Sequence, residues 1–308
     1  MAKILISGGN GMLGKAITGE LLHKGHSVSW LCRKPLKENK VNVFLWDPET
    51  RSLDLNAFEG VEQLIILNGS NIAGKAWTRV NKAEIYSSRV DSTAFLLETL
   101  QKQNILLKTI CGASAIGYYG NEHAEEFCDE NTAAGSDFLA RVCRDWEKVY
   151  ETRTPPQTRL VIFRISVVLS ESGGMYAKLH PLVKAGLAAV IGNGKNYISW
   201  IHIQDLARLF VFAIENPAVS GIYNATAPEP KNLKEFIHEM ARSLNRKVVL
   251  PAIPSFLIRM FLGERASLVD KGCRVNNEKV RHLGFDFEFP LLPSALNDLA
   301  HQKIQRRS

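Results

Sequence analysis

The feature that most constrains this chain is a glycine cluster close to its N-terminal end. Residues 3–7 form a short apolar run of the kind found in strands buried on both faces of a parallel sheet. Glycines then stand at positions 8, 11 and 14, and residues 12–24 carry leucine and isoleucine at helical spacing before Gly25. A strand, a glycine-rich turn and a helix in this order predict the first unit of a dinucleotide-binding sheet.

The glycine loop, residues 8–14, has a separate physical reason for each of its three spaced glycines. Gly8 permits a sharp turn, Gly11 lets a pyrophosphate approach the backbone, and Gly14 lets the helix pack close to the strand. The N-terminus of the helix adds free N–H groups for the phosphates. The alternative is a tight turn that serves only the fold. We predict that the loop contacts the cofactor through Gly8, Gly9, Asn10, Gly11, Met12, Leu13 and Gly14.

The end of the second predicted strand, residues 27–32, bears on which dinucleotide binds. A protein that binds NAD in preference to NADP has a carboxylate at this position, which holds the ribose hydroxyls. This chain has Cys32, Arg33 and Lys34 instead, and no acid before Glu38. Two cations favour the 2′-phosphate of NADP, which predicts NADP(H) as the cofactor. The alternative is a solvated basic turn.

The chain alternates between strand-like and helix-like segments up to about residue 170. Strands are predicted near residues 41–46, 64–67, 108–111 and 160–169, and helices at 82–102 and 140–150. Such alternation predicts an α/β fold with a Rossmann-like, doubly wound parallel sheet. Glycine and proline interrupt the later sequence, which predicts a smaller C-terminal α/β cap.

The predicted domain organisation follows from that change of pattern. The Rossmann-like, NADP-binding domain comprises residues 1–169 together with about 198–216, which we expect to return to the sheet. The cap comprises residues 170–197 and 217–300, and residues 301–308 form a basic tail.

Composition excludes several other classes of protein. Hydrophobic residues make up 45% of the chain, and no apolar run is long enough to span a bilayer, so we expect no membrane association. The net charge of +7 is spread among anions without an aromatic stripe, which argues against nucleic acid and suits a polyanionic cofactor. The five cysteines form no C-x-x-C pair, so we expect no metal site and a reducing, cytoplasmic location.

Blocks along the whole chain carry a resemblance to a known family. They include Ser-Gly-Gly-Asn-Gly-Met-Leu-Gly at residues 7–14, Leu-Asn-Gly-Ser-Asn-Ile-Ala-Gly at 67–74, Ser-Ala-Ile-Gly-Tyr-Tyr-Gly at 114–120, Ser-Trp-Ile-His-Ile-Gln-Asp-Leu at 199–206 and Asn-Ala-Thr-Ala-Pro at 224–228. The chain resembles the extended short-chain dehydrogenases/reductases. Within them it resembles an epimerase-like family of atypical members of the NAD-dependent epimerase/dehydratase superfamily.

The resemblance implies that NADP(H) lies along the C-terminal edge of the sheet. It places the adenosine 2′-phosphate at one end, the riboses in the middle and the nicotinamide half at the other end. In that order, the implied contacts are Cys32 and Arg33, then Leu67, Asn68, Glu84 and Arg89, then Val168, and Lys34 and Ser114 are further predicted cofactor contacts. Glu84 and Arg89 are five residues apart, close enough to share a face of one long helix. The alternatives are a surface ion pair for Glu84 and Arg89, and a core position for Val168.

The chain departs from the superfamily at the residues that transfer protons. Enzymes of the superfamily use a Tyr-x-x-x-Lys pair on a helix, with a serine at the end of the preceding strand. Ser114 occupies the position of that serine. None of the seven tyrosines has a lysine four residues later, and the aligned helix positions fall near residues 138–139 and 142–143. Tyr118 or Tyr119 is a candidate substitute acid with Ser114, and His202 is another candidate, although a structural histidine is the simpler interpretation.

Two functions follow from these residues. The first is an NADP-dependent oxidoreductase or nucleotide-sugar epimerase-like enzyme acting on a small molecule of unknown identity. The second is a non-catalytic NADP(H)-binding redox sensor or scaffold, since the dyad is missing. By analogy with the superfamily, a homodimer would pair the predicted helices at residues 82–102 and 137–150.

Overall fold

A parallel sheet organises this computed structural model, which describes residues 1–123, 126–270 and 272–305. Residues 306–308 of the predicted basic tail lie outside the described residues. The sheet has eight strands in the order β12-β8-β6-β5-β1-β2-β3-β4, and only β3 and β4 pair antiparallel. Its strands are Lys3–Ser7 (β1), Ser27–Cys32 (β2), Asn42–Asp47 (β3), Ser52–Leu53 (β4), Gln63–Ile66 (β5), Thr109–Ala115 (β6), Arg159–Ile165 (β8) and Gly221–Ala225 (β12).

Helices cover both faces of this sheet. Those of the first 215 residues are Met12–His23 (α1), Arg79–Ser87 (α2), Val90–Lys102 (α3), Phe138–Arg153 (α4), Gly174–Lys184 (α5) and Ile203–Glu215 (α6). Ile4 and Ile6 pack in one buried cluster with residues of α1 and α6, while Leu5 packs in another with residues of α3 and α4. Because successive strand residues point to opposite faces, β1 is buried on both sides. The Rossmann-like, doubly wound α/β fold is confirmed.

The segment predicted as one helix at residues 82–102 is two helices, so that prediction is wrong. The chain leaves the helical path at Ser88 and Arg89, between α2 and α3. The Ser88 hydroxyl accepts a hydrogen bond from the Ser70 backbone N–H at 3.0 Å, and the Arg89 guanidinium donates one to the Ser70 carbonyl at 3.0 Å. Contacts with a loop that is distant in the sequence therefore favour the break, and no local sequence pattern predicts these contacts.

The strand predicted at residues 160–169 is also divided, at Ser166. Beyond β8, the strand Val167–Ser170 (β9) pairs with Trp200–His202 (β11) in a separate two-stranded sheet. The expectation that the segment from residue 198 rejoins the large sheet is therefore wrong for its strand, although α6 does pack on the sheet.

The edge strand next to β8 is instead β12, which the sequence analysis places within the cap. Its burial was hard to predict because Asn224, a polar residue, is completely buried there. The Asn224 side chain accepts a hydrogen bond from the Tyr119 hydroxyl, so its polar atoms are paired inside the fold. The division of the chain into two domains stays a prediction.

The remaining elements build a third buried cluster beside the sheet. Tyr176 of α5, Trp200 of β11 and Phe236 pack together in it. The further helices are Leu233–Ser243 (α7), Ser255–Leu262 (α8), Ser267–Asp270 (α9), Glu278–His282 (α10) and Leu292–Gln305 (α11), and the further strands are Phe127–Cys128 (β7), Tyr197–Ile198 (β10), Lys231–Asn232 (β13) and Arg274–Val275 (β14). Within the described part of the chain, no helix combines the length and apolar character needed to cross a membrane.

Candidate cofactor site and adjoining cavity

The glycine loop is packed so closely that side chains would not fit at several of its positions. Gly8 has φ +77°, and a Cβ there would lie 3.1 Å from the Leu67 carbonyl oxygen. A Cβ on Gly9 would come within 2.2 Å of the Trp30 ring, and one on Gly14 within 2.5 Å of the Gly9 carbonyl oxygen. The loop therefore presents bare backbone next to the ends of β1 and β5, as the sequence predicts for a pyrophosphate cradle.

The start of α1 leaves its backbone donors without a side-chain cap. Gly11 occupies the N-cap position and makes no side-chain hydrogen bond, while Asn10 and Gly11 are both exposed. Leu13 packs against the buried cluster under α1, and Met12 faces the loop before α5. An uncapped helix N-terminus beside a bare glycine loop has the donors and the dipole that suit a phosphate.

The end of β2 places its three predicted residues differently. The Cys32 thiol is buried against the Asn10 backbone, and burial raises its pKa. Arg33 and Lys34 are exposed, and neither forms an ion pair with another described residue. The two cations are thus available to an anionic group at this edge of the sheet.

The residues predicted beside the riboses fall into two groups. Leu67 lies against Gly8, and Asn68 accepts a hydrogen bond from the Ser7 hydroxyl at 2.6 Å, so both adjoin the glycine loop. Glu84 and Arg89 do not lie on one helix. Glu84 is exposed on α2 and pairs with Lys75 at 3.2 Å, whereas Arg89 lies between α2 and α3 and lines a cavity.

That cavity, of about 650 Å³, opens beside the carboxyl ends of β6 and β8 and is closed by the C-terminal elements. Its lining includes Trp77, Arg89, Ile116, Phe138, Leu139, Arg141, Val142, Cys143, Ile165, Val167, Met175, Tyr197, Ser199, Glu264, Leu268 and Cys273. Val168 does not line it; this residue is half-buried and packs against the core beside its register partner Ile201. The start of α5 lies between the cavity and the glycine loop: a Cβ on Gly173 would lie 2.9 Å from the Met12 sulfur, and Met175, two residues later, lines the cavity.

Ser114, predicted to act in catalysis, is held in a buried ion-pair network. Its hydroxyl donates to Glu147 Oε1 at 2.6 Å, and the Arg164 guanidinium donates to both Glu147 oxygens at 3.0 and 2.8 Å. Ser114 and Arg164 are register partners on β6 and β8, and Glu147 projects from α4 above them. We call these three residues the Glu147 network. Burial alone would lower the pKa of Arg164, but Glu147 raises it above its ordinary value.

Tyr118 and Tyr119 join this network and do not line the cavity. The Tyr118 ring stacks on Arg164, whose Cζ atom lies 3.4 Å from the ring centroid. The Tyr119 hydroxyl donates to Asn224 at 2.6 Å, and burial raises the pKa of Tyr119. These contacts favour a structural role for both tyrosines, and the catalytic roles of Ser114 and Tyr118 stay predictions.

His202 is a structural group as well. It caps α6, with its Nδ1 accepting from the Gln204 N–H at 3.2 Å, so the ring proton belongs on Nε2, which lies 3.3 Å from an Asp298 oxygen. Burial lowers the pKa of His202 to about 4. A neutral, capping imidazole away from the cavity is poorly placed to donate protons there.

The helix positions where the superfamily carries its dyad do face the cavity. Leu139 and Cys143, one turn apart on α4, lie opposite Gly117, where a Cβ would meet them at 3.6 and 3.8 Å. Burial raises the pKa of Cys143 to about 12, so its thiol stays protonated. Tyr197, which the sequence analysis did not single out, is the tyrosine that lines the cavity, and the Arg274 Cζ atom lies 4.9 Å from its ring centroid.

Comparison with known proteins agrees with this geometry. The model of the NAD dependent epimerase/dehydratase family matches residues 4–226, which carry the glycine loop and all eight strands of the large sheet. The chain belongs to that family. A second model, the domain of unknown function DUF1731, matches residues 253–299, so the cavity of this epimerase-family chain is lined from both matched regions.

Similar proteins share nearly the full length of the chain. The epimerase family protein YfhF of Bacillus subtilis is 34% identical over 96% of this chain and 97% of its own. The chloroplastic SDR39U1 homolog of Arabidopsis thaliana is 30% identical over 95% and 85%. The crystal structure of the human epimerase family protein SDR39U1 (isoform 2) with NADPH has a TM-score of 0.89 and 29% identity, over 97% of this chain and 99% of that one.

The described residues contain no group of three or more His, Cys, Asp or Glu side chains that could hold a metal ion.

Sequence reasoning missed two residues of the cavity, Arg141 and Tyr197, because neither belongs to a recognisable motif. Arg141 follows Phe138 by three positions on α4, and such spacing places two side chains on one helix face. Only the position of α4 in the fold shows that this face lines a cavity.

Proposed function

We propose that this chain is an NADP(H)-dependent oxidoreductase or epimerase-like enzyme that acts on a small molecule in the cavity. The observation that carries the proposal is the segment at residues 173–175, which adjoins Met12 of the glycine loop at Gly173 and lines the cavity at Met175. Because this segment borders both the glycine loop and the cavity, one extended ligand lying along it would reach both. The family's dependence on NAD and the NADPH in the human relative support the choice of ligand.

NADP(H) rather than NAD(H) is supported by the end of β2. Arg33 and Lys34 are exposed there without ion-pair partners among the described residues, and Cys32 replaces the carboxylate that would hold free ribose hydroxyls. A 2′-phosphate offers such cations charge-assisted hydrogen bonds. The bare backbone of the glycine loop fits the pyrophosphate of either dinucleotide, so the discrimination rests with this basic pair.

A bound nicotinamide supplies hydride transfer, and the chain must then move a proton at the substrate. Tyr197 is the group that we assign to that task, because its ring lines the cavity beside the Arg274 guanidinium. The Arg274 guanidinium lies over the face of the ring, a cation–π contact that holds the ring in place. Here the cation comes from β14, so no fixed sequence spacing would reveal it.

The second candidate function is a non-catalytic NADP(H) sensor or scaffold. It is favoured by one observation, that the dyad positions facing the cavity hold Leu139 and a protonated Cys143 thiol. A sensor must bind NADPH and NADP⁺ with different affinities, since only a differential affinity can shift its conformation.

Deuterium transfer separates the two functions. NADPH deuterated at C4 of the nicotinamide would be incubated with the protein and a small-molecule cell extract, and the metabolites examined by mass spectrometry. We expect label in a metabolite, much less label with Tyr197→Phe, and no change with Tyr118→Phe as the matched control. Absence of label, together with clearly unequal NADPH and NADP⁺ affinities, would replace the enzyme by the sensor.

A further inference from the structure

We propose that the cavity takes an apolar carboxylic acid, whose carboxylate pairs with Arg141, rather than a nucleoside-diphosphate sugar. This inference rests on the proposed function, because it treats the cavity as the substrate site. It is carried by three features of the lining: its apolar surface, the internal pairing of its polar groups, and one cation that has neither a hydrogen-bonding nor an ion-pair partner among the described residues.

Most of the lining is hydrocarbon and aromatic. Ile116, Leu139, Val142 and Ile165 line the side formed by the sheet and α4. Trp77 and Phe138 stand together at the edge, with ring centroids 5.5 Å apart. The Trp77 indole N–H donates to the Ile72 carbonyl at 2.8 Å, so the ring offers a ligand its apolar faces. A body that is aliphatic or aromatic would bury well against this surface.

Polar side chains in the lining already form hydrogen bonds with other groups of the protein. The Ser199 hydroxyl donates to the Cys273 carbonyl at 2.9 Å and accepts from the Val275 N–H at 3.0 Å. The Ser166 hydroxyl donates to the Ala225 carbonyl at 3.0 Å. The several hydroxyls of a sugar need hydrogen-bonding partners when they leave water, and this lining offers few.

The acidic and amide groups near α4 are engaged in the same way. Asp137 caps α4 by accepting from the Ala140 N–H at 3.0 Å, and its other oxygen accepts from the Asn121 amide at 2.8 Å. A ligand that brings its own negative charge therefore does not meet an unsatisfied carboxylate at this end of α4.

Among the described residues, three cations line the cavity, and two of them already form an ion pair or hydrogen bonds within the protein. Lys82 forms an ion pair with Glu264, and Arg89 donates to the carbonyls of Ile85 at 3.1 Å and Ser70 at 3.0 Å. Arg141 projects from the exposed side of α4 and makes no ion pair with another described residue. One free guanidinium matches a single carboxylate, which it can bind through two parallel hydrogen bonds, better than the two charges of a diphosphate.

Matched ligand pairs test this directly on the full chain saturated with NADPH. The probes are 4-phenylbutyric acid, 2-naphthoic acid and decanoic acid, each beside its primary amide, with UDP-glucose as the rival ligand, all measured by isothermal titration calorimetry. We expect at least one acid to bind about tenfold or more tightly than its amide, as a charge-assisted hydrogen bond implies, and more tightly than UDP-glucose.

Arg141→Gln keeps a polar, hydrogen-bonding side chain, although a shorter one, and removes its charge. We expect this variant to lose the preference for the acid while binding the amide as before. Arg144→Gln, three residues on in the same helix, exposed and outside the cavity lining, is the matched control and should keep the preference.

Three results would overturn the inference: tighter binding of UDP-glucose than of every acid, no acid preferred over its amide, or a preference that survives in Arg141→Gln. The NADPH titration that precedes each experiment keeps the proposed function separate. Failure to bind NADPH would count against that function, whereas normal NADPH binding without an acid preference would count only against the ligand class.

Discussion

The glycine loop and the Glu147 network lie along the same edge of one sheet, yet they are built in opposite ways. The loop is made of backbone, with glycines at 8, 9 and 14 where any side chain would collide with a neighbour. The network is made of side chains from β6, α4 and β8, with both members of its ion pair at least 96% buried. The geometry of a site made of backbone depends on where glycines stand in the sequence, whereas that of a site made of side chains depends on which residues the fold brings together.

The largest effect should follow from removing the Glu147 carboxylate. Glu147→Ala leaves Arg164 buried without its counter-charge, so the free energy of unfolding should fall by about 3–5 kcal/mol. Urea denaturation measures this, with the exposed Glu151→Ala on the same helix as a control that should change stability by about 0.5 kcal/mol at most. Equal effects of the two variants would mean that the network is not a structural anchor.

The loop can be tested by adding one methyl group. Gly14→Ala places a Cβ 2.5 Å from the Gly9 carbonyl oxygen, so the backbone must move, and NADPH affinity should fall about 10- to 100-fold. Gly19→Ala, on the same helix with no atom within 4 Å of the new Cβ, should bind NADPH normally and gain up to about 1 kcal/mol of stability. Unchanged NADPH affinity in Gly14→Ala would show that the close packing does not shape the cofactor site.

The role of His202 can be tested by its titration, because a proton donor and a structural cap titrate differently. Its pKa is lowered to about 4 in the folded chain, so the unfolded chain binds the proton more readily near pH 5. Its contribution to stability is complete above pH 6.5 and is lost as the pH falls toward 4. Between pH 7 and pH 5 the loss should be about 2 kcal/mol, and His202→Asn, which keeps a capping oxygen, should remove that share of the pH dependence. Urea titrations of both proteins with an identical pH dependence would contradict the buried, neutral histidine.

The smallest effect is expected at the end of β2. Under the proposed function Arg33 contacts the 2′-phosphate, so Arg33→Ala should lower NADPH affinity about tenfold while NADH affinity stays the same. Lys37→Ala, exposed four residues later, serves as the control for loss of a positive charge. Equal weakening of NADPH and NADH would mean that Arg33 does not contact the 2′-phosphate.

The same contrast explains what could be predicted from the sequence. The strand, the glycine loop and α1 were predictable because glycine spacing and helical periodicity are local signals. Ser114 was correctly placed at the end of β6. Its partner Glu147 lies 33 residues away, so no local sequence signal shows that the Ser114 hydroxyl donates its hydrogen bond to that carboxylate. The break between α2 and α3 depends on Ser70 in the same way.

The cavity was the least predictable part. Its lining comes from residues 72 to 273, and neither Arg141 nor Tyr197 belongs to a pattern of fixed spacing. The strand β12 was missed because Asn224 breaks its apolar run, although the fold pairs that side chain with Tyr119. Each of these features depends on contacts between segments that are distant in the chain.

Titration of the unmodified protein with NADPH and NADH tests the central claim, that the glycine loop and the basic pair together hold NADP(H). We predict that NADPH binds about tenfold or more tightly than NADH, because the 2′-phosphate adds charge-assisted contacts at Arg33 and Lys34. Equal affinities, tighter binding of NADH, or no binding of either dinucleotide would contradict it.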